Sequence, residues 1–309
     1  MKISEILARS GRPFPSIEIV PPLKGISKEE LLSSIQPLMA FHPPFINVTC
    51  HRDEIEFRPE PDGSWSRHNV RRRVSETAVC AAIQARFPEV EVVPHLIGAG
   101  MTRERMESQL QDLKFMGIEN VLALRGDCLA GEKRFTPEPG GYRYASELVE
   151  DIRRFESKQG SRFCIGVGAY PEKHFEAPNL EMDIENLKRK VDAGADYIIT
   201  QMFFDNAVFY AFRDKCRAAG ITVPIIPGLK PLSTARQLEM LPEAFSLDIP
   251  LELAAEVRAH ADDKEACYTI GTRWCAAQCA DLLRHDVPAV HFYTMGRADN
   301  IVTILKECF

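Results

Sequence analysis

The chain has 309 residues, of which 45% are hydrophobic and 27% are charged, and its formal net charge at pH 7 is −6. This composition is typical of a globular protein and excludes disordered and fibrous chains. Acidic residues outnumber basic ones, 44 to 38, which argues against a nucleic-acid partner because phosphate neutralisation needs a basic surface. No apolar run approaches the roughly 18 residues that span a bilayer, and the N-terminus lacks a secretory apolar segment. We therefore expect a cytoplasmic protein with no membrane partner.

Nine cysteines are scattered along the chain at irregular spacing. An odd, scattered set in a long acidic chain predicts reduced thiols and not a disulfide framework. Cys275 and Cys279 share a predicted helix face, but no Cys-x-x-Cys pair and no histidine at zinc-finger spacing accompanies them. We expect buried thiols there and no metal site.

Short apolar runs alternate with longer amphipathic runs along the whole chain. The first predicted strand, 16–20, ends at two prolines, and a helix then begins after Ser27, with Glu30 as its capping-box partner. Further strands are predicted at 45–49, 91–96, 120–124, 163–168, 197–200, 223–226 and 289–292. Helices are predicted at 69–87, 102–116, 145–157, 179–193, 206–219, 233–241 and 251–285, and from 297 onward.

Eight strands that are each followed by a helical segment predict a parallel sheet with helical crossovers. Eight such units match an α/β fold of the single (β/α)8 TIM barrel type. The competing fold is an open doubly wound sheet, which normally carries a Gly-x-Gly-x-x-Gly turn after its first strand. The first strand here ends in two prolines, which cannot form that turn, and no linker rich in Gly or Ser divides the chain. We therefore predict one domain over residues 1–309.

In a barrel of this kind, the loops at the carboxyl ends of the strands form the active site. The residues at or just beyond the predicted strand ends supply an acid, a hydroxyl, an imidazole, a guanidinium beside a carboxylate, two phenols and an amide. They are Glu18, Thr49, His95, Arg125 with Asp127, Tyr170, Gln201 and Tyr293, together with a predicted turn at Pro227 and Gly228. Their convergence predicts a catalytic or ligand-binding site at that end of the barrel.

Glu18 lies between Ile17 and Ile19 in an apolar strand. Because side chains alternate along a strand, Glu18 faces into the barrel mouth if the two isoleucines pack outward against helices. A carboxyl group there is poorly solvated, which favours its protonated form and suits a general acid. The alternative is a barrel carboxylate that forms a salt bridge and has no catalytic role.

Arg125, Gly126 and Asp127 directly follow a predicted strand. Gly126 allows a ligand to approach the backbone closely. Arg125 suits a phosphate or an aromatic system, and Asp127 suits an N–H group of a heterocycle. The alternative is an Arg–Asp pair that closes a turn.

Three polar residues share one face near the start of the helix predicted at 179–193. Asp183, Asn186 and Lys190 are spaced by three and four residues. This face suits a ribose or a phosphate, and a solvent-exposed ladder is an equal alternative. A basic run at 71–73 is predicted to lie on a helix, as a solvated face or as part of a subunit contact.

The order and spacing of ten motifs resemble the methylenetetrahydrofolate reductase family along almost the whole chain. The motifs are I-E-I-V-P-P (17–22), N-V-T (47–49), P-H-L (94–96), A-L-R-G-D (123–127), Y-A-S-E-L-V (144–149), A-Y-P-E-K-H (169–174), D-I-E-N-L-K-R-K-V-D-A-G-A-D (183–196), I-T-Q-M-F-F-D (199–205), I-P-G-L-K-P (226–231) and H-F-Y-T-M-G-R (291–297). Ten colinear matches are far more specific than any one of them. The resemblance implies an eight-stranded barrel with FAD across the carboxyl ends of the strands. It also implies hydride transfer from NADH or NADPH through the flavin to 5,10-methylenetetrahydrofolate.

The resemblance further implies residue roles. Glu18 is the acid that assists protonation of folate N10, Asp127 lies near the flavin pyrimidine edge, and Gln201 contacts both substrates in turn. Tyr293 and Arg297 line the folate side. The implied flavin contacts are Thr49, His95, Leu124, Arg125, Gly126, Asp127, Tyr144, Ala145, Tyr170, His174, Asp183, Asn186 and Lys190.

Several wider expectations follow from the same resemblance. The segment 128–143, rich in Gly and Pro, is expected to form a mobile loop over the FAD. Because the chain stops at Phe309, we expect no C-terminal regulatory domain and no inhibition by adenosylmethionine through one. By analogy with other barrel families, we expect a homo-oligomer.

Two other functions remain open at this point. One is another FAD-dependent barrel dehydrogenase of the proline-dehydrogenase kind, which needs a basic clamp for an amino-acid carboxylate in place of Glu18. The other is a folate- or flavin-binding protein without turnover.

Overall fold

The computed structural model describes residues 1–128, 135–160 and 162–309. Residues 129–134, part of the loop expected over the flavin, lie outside the described residues. The strands are β1 (Phe14–Ile19), β2 (Phe45–Val48), β3 (Glu54–Pro59), β4 (Trp65–Val70), β5 (Glu91–Ile97), β6 (Asn120–Leu124), β7 (Cys164–Ala169), β8 (Tyr197–Met202), β9 (Ile225–Leu229) and β10 (Ala289–Tyr293). The helices are α1 (Ile3–Arg9), α2 (Lys28–Met39), α3 (Glu76–Arg86), α4 (Arg103–Phe115), α5 (Ala145–Gln159), α6 (Leu180–Asp192), α7 (Asn206–Ala218), α8 (Gln237–Phe245), α9 (Leu251–Ala259), α10 (Lys264–Arg284) and α11 (Asp299–Cys308).

Eight parallel strands close into a barrel in the order β1-β10-β9-β8-β7-β6-β5-β2. The first strand pairs with the last, in the register Glu18 to Tyr293, and also with β2, in the register Glu18 to Asn47. Helices connect the successive strands, as right-handed crossovers between parallel strands require. The predicted (β/α)8 TIM barrel is confirmed.

Two apolar layers hold the barrel together and orient its first strand. Ile17 and Ile19 pack in the outer layer with Leu31 and Ile35 of α2. A separate cluster fills the barrel interior and includes Ile3 of α1. Because the isoleucines face the helices, Glu18 points into the barrel, as the alternation of the strand predicted.

The helix predicted at 69–87 is wrong over its first part, because residues 69 and 70 end the antiparallel hairpin of β3 and β4 and residues 71–75 are not helical. The hairpin turn contains Gly63 at φ +86°, and Ser64 N donates to Asp62 Oδ1 at 2.9 Å. Such turn chemistry favours a hairpin over a helix. Helix α3 begins only at Glu76, after the N-cap Ser75.

The basic run 71–73 therefore does not lie on a helix. Arg71 pairs with Asp53 at 3.5 Å, and Arg72 pairs with Glu54 at 3.1 Å, across the base of the hairpin. Arg73 donates to Pro21 O at 2.7 Å and ties the hairpin to the loop after β1. The three arginines thus form ion pairs and a hydrogen bond within the chain, and they do not form a solvated helix face.

Other boundaries also differ from their predictions. The stretch 251–285 is two helices, because Asp263 accepts from Glu265 N and Ala266 N, both at 3.0 Å, and starts α10 as its N-cap. Helix α8 begins at Gln237, and α11 begins at Asp299. The predicted turn at Pro227 and Gly228 is wrong, since both residues lie inside β9.

All nine cysteines lie among the described residues, and none of them is in a disulfide. Across residues 1–128, 135–160 and 162–309, no group of three or more His, Cys, Asp or Glu side chains could hold a metal ion. Within the same ranges, no helix combines the length and the apolar character needed to cross a membrane.

One helix cap was predicted from the sequence, and the structure shows a second at α6. The capping box of Ser27 and Glu30 is present at α2, and α6 begins after Asn179, whose Oδ1 accepts from Met182 N at 2.8 Å. Replacement of Asn179 by Ala should lower the free energy of unfolding by about 1 kcal/mol, because the N–H group at the helix start loses its acceptor. Urea unfolding measures the change.

Replacement of Asn179 by Ser is the matched control, because Ser also caps helices and should retain stability to within a few tenths of a kcal/mol. Equal loss in the two variants would show that Asn179 acts through something other than the cap.

Candidate active site

Glu18 lies between two buried imidazoles inside the barrel. Its Oε2 is 3.5 Å from His95 Nε2 and 3.8 Å from His291 Nε2, and the residue is only 9% exposed. Burial lowers the pKa of His95 to about 4, an effect that Glu18 opposes and His291 reinforces. His95 is therefore neutral near pH 7. Among the described residues, no Lys or Arg forms an ion pair with Glu18, which favours the acid over the salt-bridge alternative.

Three fully buried polar side chains complete the surroundings of Glu18. Ser16 Oγ lies 2.8 Å from His291 Nδ1, and Asn47 Nδ2 lies 3.3 Å from His95 Nε2. Asn47 Oδ1 and His291 Nε2 have no hydrogen-bond partner within the part of the chain that the structure describes. This is an unusually polar environment for a barrel interior, because buried polar atoms are normally paired.

The sequence analysis missed Ser16, Asn47 and His291 as site residues. Each stands two positions before a residue that it did select at a strand end, and side chains two apart on a strand share a face. The period that located Glu18 would also have located these three.

Tyr293 forms the wall of the barrel beside Glu18. Its hydroxyl donates to Thr200 O at 2.6 Å, and Gly228 N donates to Thr200 Oγ1 at 3.0 Å. Burial, with Glu18 nearby, raises the pKa of Tyr293 well above its usual range. The phenol therefore stays protonated, and its single proton is held by the backbone of β8.

Thr49 and Gln201 lie at the carboxyl ends of β2 and β8, where they were predicted. Thr49 Oγ1 is 3.0 Å from His51 Nε2. Gln201 Oε1 accepts from Met202 N at 2.9 Å, at a point where the register between β8 and β9 shifts. Burial and Arg73 lower the pKa of His51, and Glu18 opposes that shift.

Two cations meet near the carboxyl ends of β6 and β7. Arg125 forms an ion pair with Glu176, and the half-buried Lys190 donates from its ammonium to Gly168 O. Burial, opposed by Asp183 and reinforced by Arg125, lowers the pKa of Lys190 to about 8. The charge of Arg125 thus acts on the Lys190 ammonium, and each of the two cations also has a nearby carboxylate, Glu176 for Arg125 and Asp183 for Lys190.

Tyr170 and His174 lie beside these cations. Their rings meet edge to face at 4.7 Å, and His174 N donates to Asp183 Oδ2 at 2.8 Å. Burial and Arg125 lower the pKa of His174, and burial raises that of Tyr170. Both side chains are therefore held in their neutral forms near pH 7.

The backbone at Gly126 passes close to β5. Gly126 has φ +87°, and a Cβ there would lie 2.2 Å from Ile97 Cγ2, so only glycine fits. Asp127 next to it is exposed, and its carbonyl accepts from Arg52 at 3.4 Å. Leu124 ends β6 and lies close to Gly168.

Four predicted site residues lie further out. Tyr144 is the half-exposed N-cap of α5 and Ala145 is the first residue of that helix, while Asn186 accepts from Arg189 at 3.3 Å. Arg297 is exposed and contacts Asp299 at 3.0 Å and the Tyr268 ring. No hydrogen bond or ion pair between described residues joins Arg297 to Glu18 or Tyr293.

Comparisons with known proteins agree with this barrel and its motifs. A family model described as methylenetetrahydrofolate reductase matches residues 2–308. "Methylenetetrahydrofolate reductase (NADH) 1" of Arabidopsis thaliana is 32% identical over 318 residues, which cover 99% of this chain and 50% of that protein. "5,10-methylenetetrahydrofolate reductase" of Escherichia coli (strain K12) is 34% identical over 284 residues, which cover 92% of this chain and 86% of that protein. The chain thus spans about half the length of the plant relative and most of the bacterial one.

Solved structures give the same architecture. An uncharacterized protein from Clostridium thermocellum that binds two copies of 5-methyl-5,6,7,8-tetrahydrofolic acid matches 99% of this chain and 98% of its own, with a TM-score of 0.62 and 12% identity. A 2,3-dimethylmalate lyase matches with a TM-score of 0.51 and 10% identity. At such low identity these likenesses support the barrel fold alone.

Proposed function

We propose, because the chain belongs to the methylenetetrahydrofolate reductase family, that it reduces 5,10-methylenetetrahydrofolate to 5-methyltetrahydrofolate, with NADH or NADPH as the reductant and FAD as the bound hydride carrier. One observation carries the proposal: Glu18 is 9% exposed, lies between two buried imidazoles and has no Lys or Arg ion-pair partner among the described residues. A carboxyl group in this setting suits a proton donor.

The residues near the ends of β6 and β7 fit FAD. Arg125 and Lys190 lie close enough for one charge to lower the pKa of the other, and two neighbouring cations suit a diphosphate. The Tyr170 ring and the exposed carboxylate of Asp127 suit a heterocycle with N–H groups. FAD held by these residues would supply the hydride carrier between the nicotinamide and the folate.

The proposed FAD site extends over further residues of the family pattern. Asp183 holds the backbone N–H of His174 and so orders the loop that carries Tyr170. Asp127 is proposed to tune the flavin potential from the pyrimidine edge. The remaining proposed contacts are Thr49, His95, Leu124, Gly126, Tyr144, Ala145 and Asn186.

The Lys190 ammonium gives the FAD site a pH dependence. Because burial lowers its pKa to about 8, Lys190 is charged below that pH and loses its charge as the pH rises through it. Since a diphosphate binds the charged form, affinity for FAD should fall above about pH 8. Replacement of Lys190 by Gln should weaken binding about 10- to 100-fold at neutral pH, as expected for a charged hydrogen bond, and remove this pH dependence.

Titration of the apoprotein with FAD, followed by quenching of flavin fluorescence between pH 6.5 and pH 9, measures both effects. Lys188 lies on the same helix and pairs with Asp192, so its replacement by Gln is the matched control and should change little. An affinity that is independent of pH in the unaltered protein would contradict this assignment.

Glu18 is proposed to drive ring opening of the folate. Its proton goes to N10, the bond between N10 and the bridging methylene carbon breaks with its electron pair on N10, and Glu18 is left as a carboxylate. The carbon stays on N5 as an electrophilic iminium cation that can accept a hydride. Gln201 is proposed to contact both substrates in turn, and Tyr293 and Arg297 to line the folate side.

A two-step colour assay tests the function. In the absence of oxygen, NADH or NADPH should bleach the FAD-loaded protein, and methylenetetrahydrofolate should restore the colour. A protein that cannot be loaded with FAD contradicts the proposal. Bleaching by proline would identify the alternative dehydrogenase, and binding of FAD and folate without any colour change would identify a binding protein.

A further inference from the structure

A buried hydroxyl and a buried imidazole stand behind Glu18. Ser16 and His291 are neighbours in the register of β1 and β10, and both are 0% exposed. Their Oγ and Nδ1 atoms are 2.8 Å apart, which is a short, well-formed hydrogen bond. The other ring nitrogen, Nε2, has no hydrogen-bond partner among the described residues and lies 3.8 Å from Glu18 Oε2.

A neutral imidazole carries its proton on one of its two nitrogens, and for His291 the hydrogen bond to Ser16 decides which one. If Ser16 donates, Nδ1 accepts, and the ring proton lies on Nε2, facing Glu18. If Nδ1 donates instead, the buried hydroxyl proton has no described acceptor, and the Nε2 lone pair faces a carboxylate oxygen once Glu18 has given up its proton. Buried donors are costly to leave unpaired, so the first arrangement is the stable one.

We propose that Ser16 and His291 are positioning residues: Ser16 fixes the His291 tautomer with the proton on Nε2, and that N–H stabilises the Glu18 carboxylate formed when Glu18 gives up its proton. The inference rests on the proposed function, since it assigns a task to the pair within that proton-transfer step. His291 Nε2 and Glu18 Oε2 are 3.8 Å apart, and we expect them to move to hydrogen-bonding distance when substrate binds, as catalytic groups often do.

Other groups around Glu18 do not supply this donor. His95 of β5 is 3.5 Å away and is held neutral, with its Nε2 also facing Asn47. The hydroxyl of Tyr293 in β10 already donates its proton to Thr200 O. Burial lowers the pKa of His51, which lies after β2, and the charge of Glu18 opposes that shift, but the Nε2 atom of His51 is hydrogen-bonded to Thr49 Oγ1.

The tautomer is measured directly and without cofactor, activity or substrate. In protein labelled with 15N-histidine, the shifts of the two ring nitrogens distinguish the tautomers, and the His291 signals are those lost in His291→Gln. We expect the proton on Nε2 in the unaltered protein and a shift toward Nδ1 in Ser16→Ala. The exposed His260, which contacts Glu256 O, should be unchanged. A proton on Nδ1 in the unaltered protein overturns the inference.

The role in proton transfer is read from the pH profile of the folate half-reaction. In Ser16→Ala the Glu18 carboxylate should lose a hydrogen-bond donor. The alkaline limb of the pH profile should then move up by about one pH unit, and the folate half-reaction should slow about tenfold. Both changes correspond to the loss of one hydrogen bond to a charged group. The nicotinamide half-reaction should stay within twofold.

A matched pair of variants at position 291 completes the test. His291→Gln keeps an N–H group toward Glu18 and should retain the pH profile, whereas His291→Leu should shift it as Ser16→Ala does. A slowed step with an unmoved profile in both Ser16→Ala and His291→Leu would mean a purely structural role and overturn the inference. Absence of any folate half-reaction in the unaltered protein would overturn the proposed function, while the tautomer measurement would still stand by itself.

Discussion

Replacement of Glu18 by Gln should leave the nicotinamide half-reaction nearly unchanged and slow the folate half-reaction by about 10²- to 10⁴-fold. That range is the usual contribution of a general acid. The amide keeps the shape of the side chain and its place between His95 and His291, but it cannot give up a proton. Only the folate half-reaction needs that proton, because the bond between N10 and the bridging carbon breaks with its electron pair on N10, which must be protonated.

Anaerobic stopped-flow measurement of each half-reaction separates the two effects. Glu172 provides the control, since burial raises its pKa to about 7 and it lies after β7, yet its Oε1 accepts from Asp248 N at 3.1 Å. Glu172→Gln should leave both half-reactions unchanged. If Glu18→Gln slows both half-reactions equally, Glu18 is not the acid.

Replacement of Gly228 by Ala should destabilise the protein by about 3 kcal/mol, the upper end of the usual cost of overpacking. A Cβ at Gly228 would lie 2.3 Å from Thr200 O and 2.6 Å from Tyr293 Cε2. The first of these atoms belongs to the backbone of a neighbouring strand and cannot move freely. The Tyr293 ring must also shift, so we expect weaker folate binding in addition to the lower stability.

Urea unfolding measures the stability, and the half-reaction assay measures folate binding. Gly11 is the matched control, because a Cβ there has nothing within 4 Å, and Gly11→Ala should change stability by less than about 0.5 kcal/mol. Equal stability of the two variants would contradict the close packing of β8, β9 and β10 around Tyr293.

The barrel itself could be predicted from local patterns. Alternation of apolar runs with amphipathic helices predicted all eight strands of the barrel, and the confirmed cap at Ser27 depends only on a residue three positions away. The hairpin of β3 and β4 was missed because its strands are polar and largely exposed. Their pairing depends on a turn at Gly63 and on ion pairs with Arg71 and Arg72. These features leave no periodic pattern of apolar residues in the sequence.

The sequence by itself determined the fold and the inward direction of Glu18, because the two-residue period of a strand is a local property. It also selected polar residues at the strand ends, since parallel strands place those ends together. Only the tertiary structure decided which side chains surround Glu18. Ser16 and His291 are 275 residues apart in the chain, and they meet because the closed barrel pairs its first strand with its last.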